Sequence, residues 1–125
     1  MTPDKFRRLA LKMEGAIEGA HMGHPDFRAN GRIFATLYPD GERGMVQLKP
    51  EQQEDFVADD FAAFEPASGA WGRNGSTTVV LALVNEDRLG EAMTLAWQNT
   101  LKALAQSKPK RTSKPAKRPR QSRQR

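Results

Sequence analysis

The sequence predicts an α+β fold: an antiparallel β-sheet with the N-terminal and C-terminal helices packed on one face of it. Three observations support this prediction. An amphipathic segment lies near each end of residues 1–106, the intervening turn sequences are too closely spaced for parallel crossovers, and residues 77–84 form a β-branched, apolar run. Two amphipathic helices and one sheet each have an apolar surface to bury, and stacking them in two layers buries all of it.

The two terminal helices are marked by their first residues and by their apolar stripes. Thr2-Pro3-Asp4 supplies a capping hydroxyl, a proline at the first helical position and a carboxylate near the positive end of the dipole, and Gly15 is placed to end this helix. Asn85 caps the last helix. The apolar stripes are Phe6, Leu9, Ala10 and Met13 in the first helix, and Leu89, Ala92, Met93, Ala96, Trp97, Leu101 and Leu104 in the last.

Between these helices the sequence alternates strands and turns. Asn30-Gly31 favours a two-residue hairpin turn, because both central residues of such a turn take positive φ. The sequence then predicts a strand over 32–38, a turn over 39–44, a returning strand over 45–49 and a short helix over 50–54. We expect residues 61–75 to be irregular, since a proline and three glycines interrupt them, and a strand over 77–84.

The charge of the chain is divided between two parts. Residues 107–125 hold nine Lys or Arg and no Asp or Glu, which leaves 11 basic and 15 acidic residues in positions 1–106. Ala116 is the only apolar residue of this segment, so burial cannot offset the entropy of ordering it. We therefore predict one folded domain over 1–106 and a disordered basic tail over 107–125. Its bases match the composition of arms that bind nucleic acid: Lys108, Lys110, Arg111, Lys114, Lys117, Arg118, Arg120, Arg123 and Arg125.

Several classes of protein are disfavoured. The chain has no cysteine, which excludes disulfides, zinc–thiolate sites and thiol catalysis. No apolar run approaches the roughly 20 residues of a membrane span, and the N-terminus does not read as a signal peptide. We expect a cytoplasmic protein with no membrane partner. Ser68 and Ser76 lie in no nucleophile motif and the glycines of 69–75 lead into a strand, so we expect neither an enzyme nor a cofactor.

His21, His24 and Asp26 are residue types that ligate metals. A transition-metal site needs a third or fourth ligand in fixed geometry and a second shell, and the sequence offers neither. Pro25 also indicates a turn. We therefore expect a structural role for these three residues and assign no metal site.

Several short stretches are most informative when they are read together. They are Phe6-Arg7, residues 19–27 (GAHMGHPDF), residues 31–35 (GRIFA), Leu48-Lys49, and residues 69–73 (GAWGR) with Gly75 and Thr77. In this order and spacing they resemble the MmcQ/YjbR family of small bacterial proteins, over nearly all of 1–106. The resemblance implies a frataxin-like (CyaY-like) fold, and DNA binding through a proposed pair of wing-like elements. Many relatives have tryptophan where this chain has Ser76, and the basic tail lies outside the family domain.

The body offers its own candidates for nucleic-acid contact. Five bases lie on or beside predicted turns: Arg28, Arg32, Arg43, Lys49 and Arg73. They form either a phosphate-contacting surface or the scattered charge of an ordinary surface, and scattered charge is the commoner arrangement. Trp71 more often plugs the edge of a core in such a Gly-rich connection, and we favour that interpretation. The alternative is an exposed ring that could stack on an unpaired base.

These observations predict low-specificity binding to nucleic acid, to DNA with RNA as the alternative polymer, by a monomer. The tail supplies most of the electrostatic affinity, and Arg32, Lys49, Trp71 and Arg73 orient the body on the backbone. The competing hypothesis is a protein- or ligand-interaction module whose tail only aids solubility and which has no nucleic-acid role.

Overall fold

A computed structural model describes the backbone of residues 1–107 and the side chains of residues 1–101. The predicted tail and its nine candidate bases lie outside the described residues. The elements, in chain order, are α1 (Pro3–Leu11), β1 (Ile17–His21), β2 (His24–Ala29), β3 (Arg32–Leu37), β4 (Arg43–Gln47), α2 (Pro50–Asp59), β5 (Phe64–Pro66), α3 (Gly69–Arg73), β6 (Ser76–Val80) and α4 (Glu86–Ser107).

The strands of the described chain form one antiparallel sheet of six strands in the order β1-β2-β3-β4-β6-β5. Helices α1, α2 and α4 pack on one face of this sheet, and α4 lies across β3 and β4. The predicted α+β fold, with the terminal helices on one face, is confirmed.

Local sequence explains the two hairpins at the β1 edge of the sheet. Asn30 and Gly31 have φ of 55° and 79°, and Met22 and Gly23 have φ of 51° and 80°. Positive φ at both central residues is the geometry of the two-residue turn that matches the twist of the flanking strands. The turn at Asn30-Gly31 was predicted, whereas the one at Met22-Gly23 was not.

The core lies between the helices and the sheet. Phe6, Phe27, Phe34 and Phe64 are fully buried there with Met93 of α4. Gly44 is needed where α1 crosses the sheet, because a Cβ at this position would lie 2.6 Å from the ring of Phe6. The last helix is also fastened to the segment after α1, since the indole Nε1 of Trp97 donates a hydrogen bond of 2.8 Å to the carbonyl oxygen of Glu14.

The prediction that residues 61–75 are irregular was wrong. They contain β5, whose Phe64 is fully buried opposite Val79, and the single helical turn of α3. Pro66 is tolerated because β5 is an edge strand, where one backbone donor can be missing. These elements depend on contacts with distant parts of the chain, which the local composition does not reveal.

Other boundaries differ by a few residues. Helix α2 continues to Asp59 rather than ending near residue 54, because Phe56 belongs to the core. The strand predicted over 77–84 ends at Val80, where the amides of Leu83 and Val84 both donate to the carbonyl oxygen of Val80 and form a turn before α4. The strand predicted over 45–49 begins and ends two residues earlier.

Candidate nucleic-acid interface

The face of the sheet opposite the helices carries a cavity of about 700 Å³, which we call the open-face groove. Along β4, Val46 points into the core, so Met45 and Gln47 point to the other face and line the groove. Its floor is formed by Thr36, Gln47 and Ser76. One wall is the β1–β2 hairpin with Tyr38, and the other is Trp71 of α3 with Ser68.

A register shift between β2 and β3 sets the shape of this floor. The pairing slips between Phe27 and Arg28, so that β3 holds one extra residue against β2. Phe34 and Ala35 are consecutive and both lie in the core, while Ile33 and Thr36 on either side of them line the groove. Bulges of this kind re-aim side chains without ending the strand.

Aromatic rings line one wall of the groove. The rings of His21 and His24 are stacked, with centroids 5.7 Å apart and planes at 15° to each other. The ring of Tyr38 meets His24 edge-on at 5.8 Å, and the guanidinium of Arg43 lies 5.1 Å from the centre of the Tyr38 ring. This wall of the groove is therefore aromatic in character.

Trp71 lines the opposite wall and is 73% exposed. The interpretation of Trp71 as a plug for the core edge is therefore wrong. Gly72, not Trp71, is the buried residue of α3, and a Cβ at Gly72 would lie 1.8 Å from the carbonyl oxygen of Ala67, just before the helix. The helical turn that buries Gly72 leaves the preceding indole on the outside.

A buried carboxylate fixes the β1–β2 hairpin. Asp26 is fully buried and accepts hydrogen bonds from Arg28 at 2.7 Å (Nε) and 3.0 Å (Nη2), while its Oδ2 lies 2.7 Å from Nδ1 of His21. The bond from Arg28 holds the pKa of Asp26 below its ordinary value; burial opposes this lowering and His21 adds to it. Gly19 makes room for the pair, because a Cβ there would lie 3.0 Å from Oδ1 of Asp26.

The same contacts account for His21, His24 and Asp26, which are residue types that ligate metals. The structural role expected for His21 and Asp26 agrees with this network, and His24 packs between His21 and Tyr38. Within residues 1–107, no three His, Asp or Glu side chains are grouped closely enough to hold a metal ion.

Three of the candidate bases lie at one end of the sheet, which we call the basic end: Arg32, Lys49 and Arg73. The pairing of Ala35 with Val46 brings the start of β3, at Arg32, beside the end of β4, just before Lys49. The pairing of Gln47 with Ser76 brings the residues before β6, including Arg73, to the same end. Arg32 and Arg73 are exposed and Lys49 is half-buried.

Ion pairing separates these three bases from the other two. Arg28 is bound by Asp26 and Arg43 by Asp40, at 2.7 and 2.9 Å. Among the residues whose side chains are described, no carboxylate lies within 4.0 Å of the cationic nitrogens of Arg32, Lys49 or Arg73. The five bases are therefore not one surface: two are neutralised locally, and three remain available to an external anion.

Gln53 of α2 positions the segment that holds Trp71 and Arg73. Its Nε2 is buried and donates to the carbonyl oxygens of Gly72 and Ser76, both at 3.0 Å, and to Oγ1 of Thr77 at 3.2 Å. Gly75 completes the connection with φ of 106°, in a place where a Cβ would lie 1.9 Å from the carbonyl oxygen of Leu48. Trp71 and Arg73 thus stand on a short turn that is anchored at both ends.

The last helix reaches the basic end as well. Thr100 of α4 accepts a hydrogen bond of 3.0 Å from the side chain of Asn30, which lies in the turn before Arg32. Asn99 donates to Oε1 of Gln52 at 2.9 Å, three residues after Lys49. Because α4 continues to Ser107, the segment with nine Lys or Arg is joined to the body near this end of the sheet.

The helical side of the molecule has the opposite character. A shallow groove of about 880 Å³ between α2 and α4 is lined by Asp55, Asp59 and Glu91, with Arg88 between the last two. By contrast, the described side chains that line the open-face groove include no Asp, Glu, Lys or Arg. A polyanion is therefore repelled less at the basic end and the open face than at the helices.

Sequence reasoning missed the groove itself. It named Trp71, His21 and His24 for other reasons, but not Thr36 of β3, Tyr38 just after β3 or Gln47 of β4. The polar residue Gln47 between Val46 and Leu48 was a usable signal, because neighbouring residues of a strand point to opposite faces of the sheet. Nothing in the local sequence marks Thr36, which has the appearance of an ordinary strand residue.

Comparison with known proteins places the chain in a family. The YjbR family model matches residues 11–99. Among solved structures, the crystal structure of Deinococcus radiodurans protein DR2400, described as a DUF419 domain, is similar with a TM-score of 0.69 and 19% identity, over 81% of this chain and 79% of that one. At this identity the similarity supports the fold alone. No curated protein matches the chain. No helix in the described part of the chain is long and apolar enough to cross a membrane.

Proposed function

Because this chain belongs to the YjbR family, we propose that it is a nucleic-acid-binding protein of low sequence specificity, with DNA as the expected polymer and RNA as the alternative. One observation supports this most directly. Arg32, Lys49 and Arg73 have no carboxylate partner among the described residues, and they lie at the end of the sheet where α4 leads into the basic tail. The body and the tail then contribute cations to one site.

The two parts have different tasks in this proposal. The cations of the tail neutralise phosphates and supply most of the affinity, without reading sequence. The three bases of the basic end are held on anchored turns, so they fix the direction in which the backbone crosses the body. The acidic groove between α2 and α4 disfavours the reverse orientation.

The proposal is tested by anisotropy titrations of a labelled DNA duplex with the full-length protein, between about 50 and 200 mM KCl. We expect the logarithm of the binding constant to fall linearly with the logarithm of the salt concentration. In the double variant Arg32→Gln/Arg73→Gln the slope should decrease in magnitude by about 2, since each lost phosphate contact removes about 0.9.

A matched control removes the same charge from the helical side. Arg8 and Lys12 of the first helical segment are exposed and take part in no side-chain ion pair in the described region. Arg8→Gln/Lys12→Gln should leave the slope unchanged. Equal slopes for the two double variants would reject the role of the basic end. Absence of binding at the lowest salt would reject the proposed function and favour an interaction module whose tail serves solubility.

A further inference from the structure

We propose that the open-face groove holds an unpaired base, and that the protein therefore prefers single-stranded nucleic acid to duplex. This inference rests on the proposed function and names its substrate class. It comes from the shape and chemistry of the groove, whereas the proposed function comes from the distribution of charge.

The walls of the groove supply stacking surfaces. The stacked pair of His21 and His24 stands on one side, and Trp71 stands on the other with 73% of its surface exposed. Every base has a π-face, so aromatic side chains bind unpaired bases with little sequence preference. This tolerance agrees with the low sequence specificity of the proposed function.

The floor of the groove holds an unsatisfied hydrogen-bonding group. Thr36 is 3% exposed, and its Oγ1 is one of two buried side-chain oxygens or nitrogens in the described chain that have no hydrogen-bond partner. An unpartnered buried hydroxyl is costly and rarely kept without a use. Thr36 lines the groove, but Oγ1 itself is closed to solvent. A change of its χ1 rotamer on binding turns Oγ1 toward the groove, where the edge of an inserted base supplies the missing partner.

Gln47 and Ser76 extend this polar floor. Oγ of Ser76 donates to Oε1 of Gln47 at 2.7 Å, which fixes the amide. The amide Nε2 makes only long contacts of 3.4 Å, to the carbonyl oxygens of Leu48 and Asn74. The oxygen of this amide is therefore fixed, whereas its N–H groups are weakly bound. These N–H groups can donate to a ligand at little cost.

The distribution of charge determines where the rest of the bound nucleic acid lies. The lining contributed by described side chains is uncharged, which suits a neutral base and not a phosphate. Arg73 follows Trp71 by two residues. When one base of a single-stranded nucleic acid lies beside Trp71, the neighbouring phosphates therefore lie close to the basic end. A base within a duplex has its faces covered and its edges paired, and it cannot reach this floor without being unpaired first.

Fluorescence of Trp71 tests the inference directly. The chain has two tryptophans, so the full-length Trp97→Phe variant reports on Trp71 alone. Saturation with a thymidine oligonucleotide should quench or shift this emission. Saturation with a self-complementary duplex, or with heparin, a polyanion without bases, should leave it unchanged although both compete for the cations.

Binding by variants supplies a second readout. Trp71→Ala should weaken single-strand binding by about 5- to 150-fold, the range expected for one stacked base, and leave duplex binding unchanged. Phe61→Ala is the matched control, because Phe61 is 79% exposed and lies outside the groove. Thr36→Val should weaken single-strand binding while the midpoint of urea unfolding stays the same or rises, an outcome that a purely structural role for Thr36 does not give.

The outcomes separate the two proposals. If duplex and single strand bind with equal affinity and steep salt dependence, and Trp71 emission responds to neither, the groove does not take a base and the proposed function stands. If neither polymer binds, both proposals fail. If heparin changes the emission as much as the oligonucleotide does, Trp71 responds to phosphate-like charge and the inference is wrong.

Discussion

Replacing Gln53 by leucine tests how the site is held in place. The side chain lies under α3 and β6, and its Nε2 reaches three acceptors within 3.2 Å. Leucine has a similar volume and removes the donor. It changes neither Trp71 nor Arg73, so any effect on binding acts through the position of α3.

The expected loss of stability follows from the partners that remain. The carbonyl oxygen of Gly72 also accepts from the amide of Gly75, and that of Ser76 also accepts from the amide of Ala67. Both carbonyl oxygens therefore keep a donor, and the hydroxyl of Thr77 keeps its own bond to the carbonyl oxygen of Gly75. The cost is mainly that of the two N–H donors of Gln53, at about 0.5–1.5 kcal/mol each. We expect a loss of about 2 kcal/mol in the free energy of unfolding, or about 10 °C in Tm for a domain of this size.

Urea unfolding followed by far-ultraviolet circular dichroism measures this loss. The control is Gln98→Leu, a substitution at an exposed position of α4. Its free energy of unfolding should lie within about 0.5 kcal/mol of that of the unmodified protein. Binding of the Gln53→Leu variant should weaken toward that of Arg73→Gln. A loss below about 0.5 kcal/mol would show that these bonds do not hold α3. Unchanged binding despite the expected loss of stability would show that the position of α3 does not matter for the site.

Two further predictions concern the supports of the site. The pKa of Asp26 is lowered in the folded protein, so its stabilising contribution is complete above the unfolded value of about 3.8 and is lost as the pH falls through that value toward the folded pKa. In urea titrations, the free energy of unfolding of Asp26→Asn should therefore be about 1–3 kcal/mol lower than that of the unmodified protein at neutral pH. This difference should shrink below about pH 4, and a difference that stays constant with pH would contradict the prediction. Gly75→Ala should cost about 3 kcal/mol or more, because the Cβ would overlap the carbonyl oxygen of Leu48 at a positive φ, whereas Gly41→Ala, at a φ of 73° in open space, should cost only about 1–2 kcal/mol. Equal costs for the two glycines in thermal unfolding would show that the close approach at Gly75 relaxes easily.

The features predicted from the sequence are those set by local chemistry. Thr2 caps α1 by accepting from the amide of Lys5, as its position before Pro3 indicated. Asn30-Gly31 forms the expected hairpin turn, and Asn85 accepts from the amides at the start of α4. Each depends on a few adjacent residues, so a single sequence is enough to reveal it.

The features that were missed depend on contacts between distant residues. α3 has one turn and is fastened to the body by the hydrogen bond from Gln53 to the carbonyl oxygen of Gly72, which a Gly-rich segment does not reveal. The exposure of Trp71 follows from the same packing. The open-face groove combines residues of β1–β4, β6 and α3 with a register shift that no local pattern predicts.

The ion pairs of two candidate bases could have been foreseen. Asp26 and Arg28 are two apart on one strand and so lie on the same face of the sheet, and Asp40 precedes Arg43 across a tight turn. Setting aside these two paired arginines leaves Arg32, Lys49 and Arg73 as the candidates for phosphate contact in residues 1–106, and the sequence alone is enough for that step. The structure adds that these three share one end of the sheet.

The most direct test of the account is the salt dependence of duplex binding by the full-length protein and by a full-length variant whose nine tail bases are all glutamine. If about five of those bases contact phosphates, the magnitude of the slope should fall by about 4 to 5 in the variant, leaving a slope of about 2 to 3 from the three bases of the basic end. Equal slopes for the two proteins would contradict the assignment of the affinity to the tail.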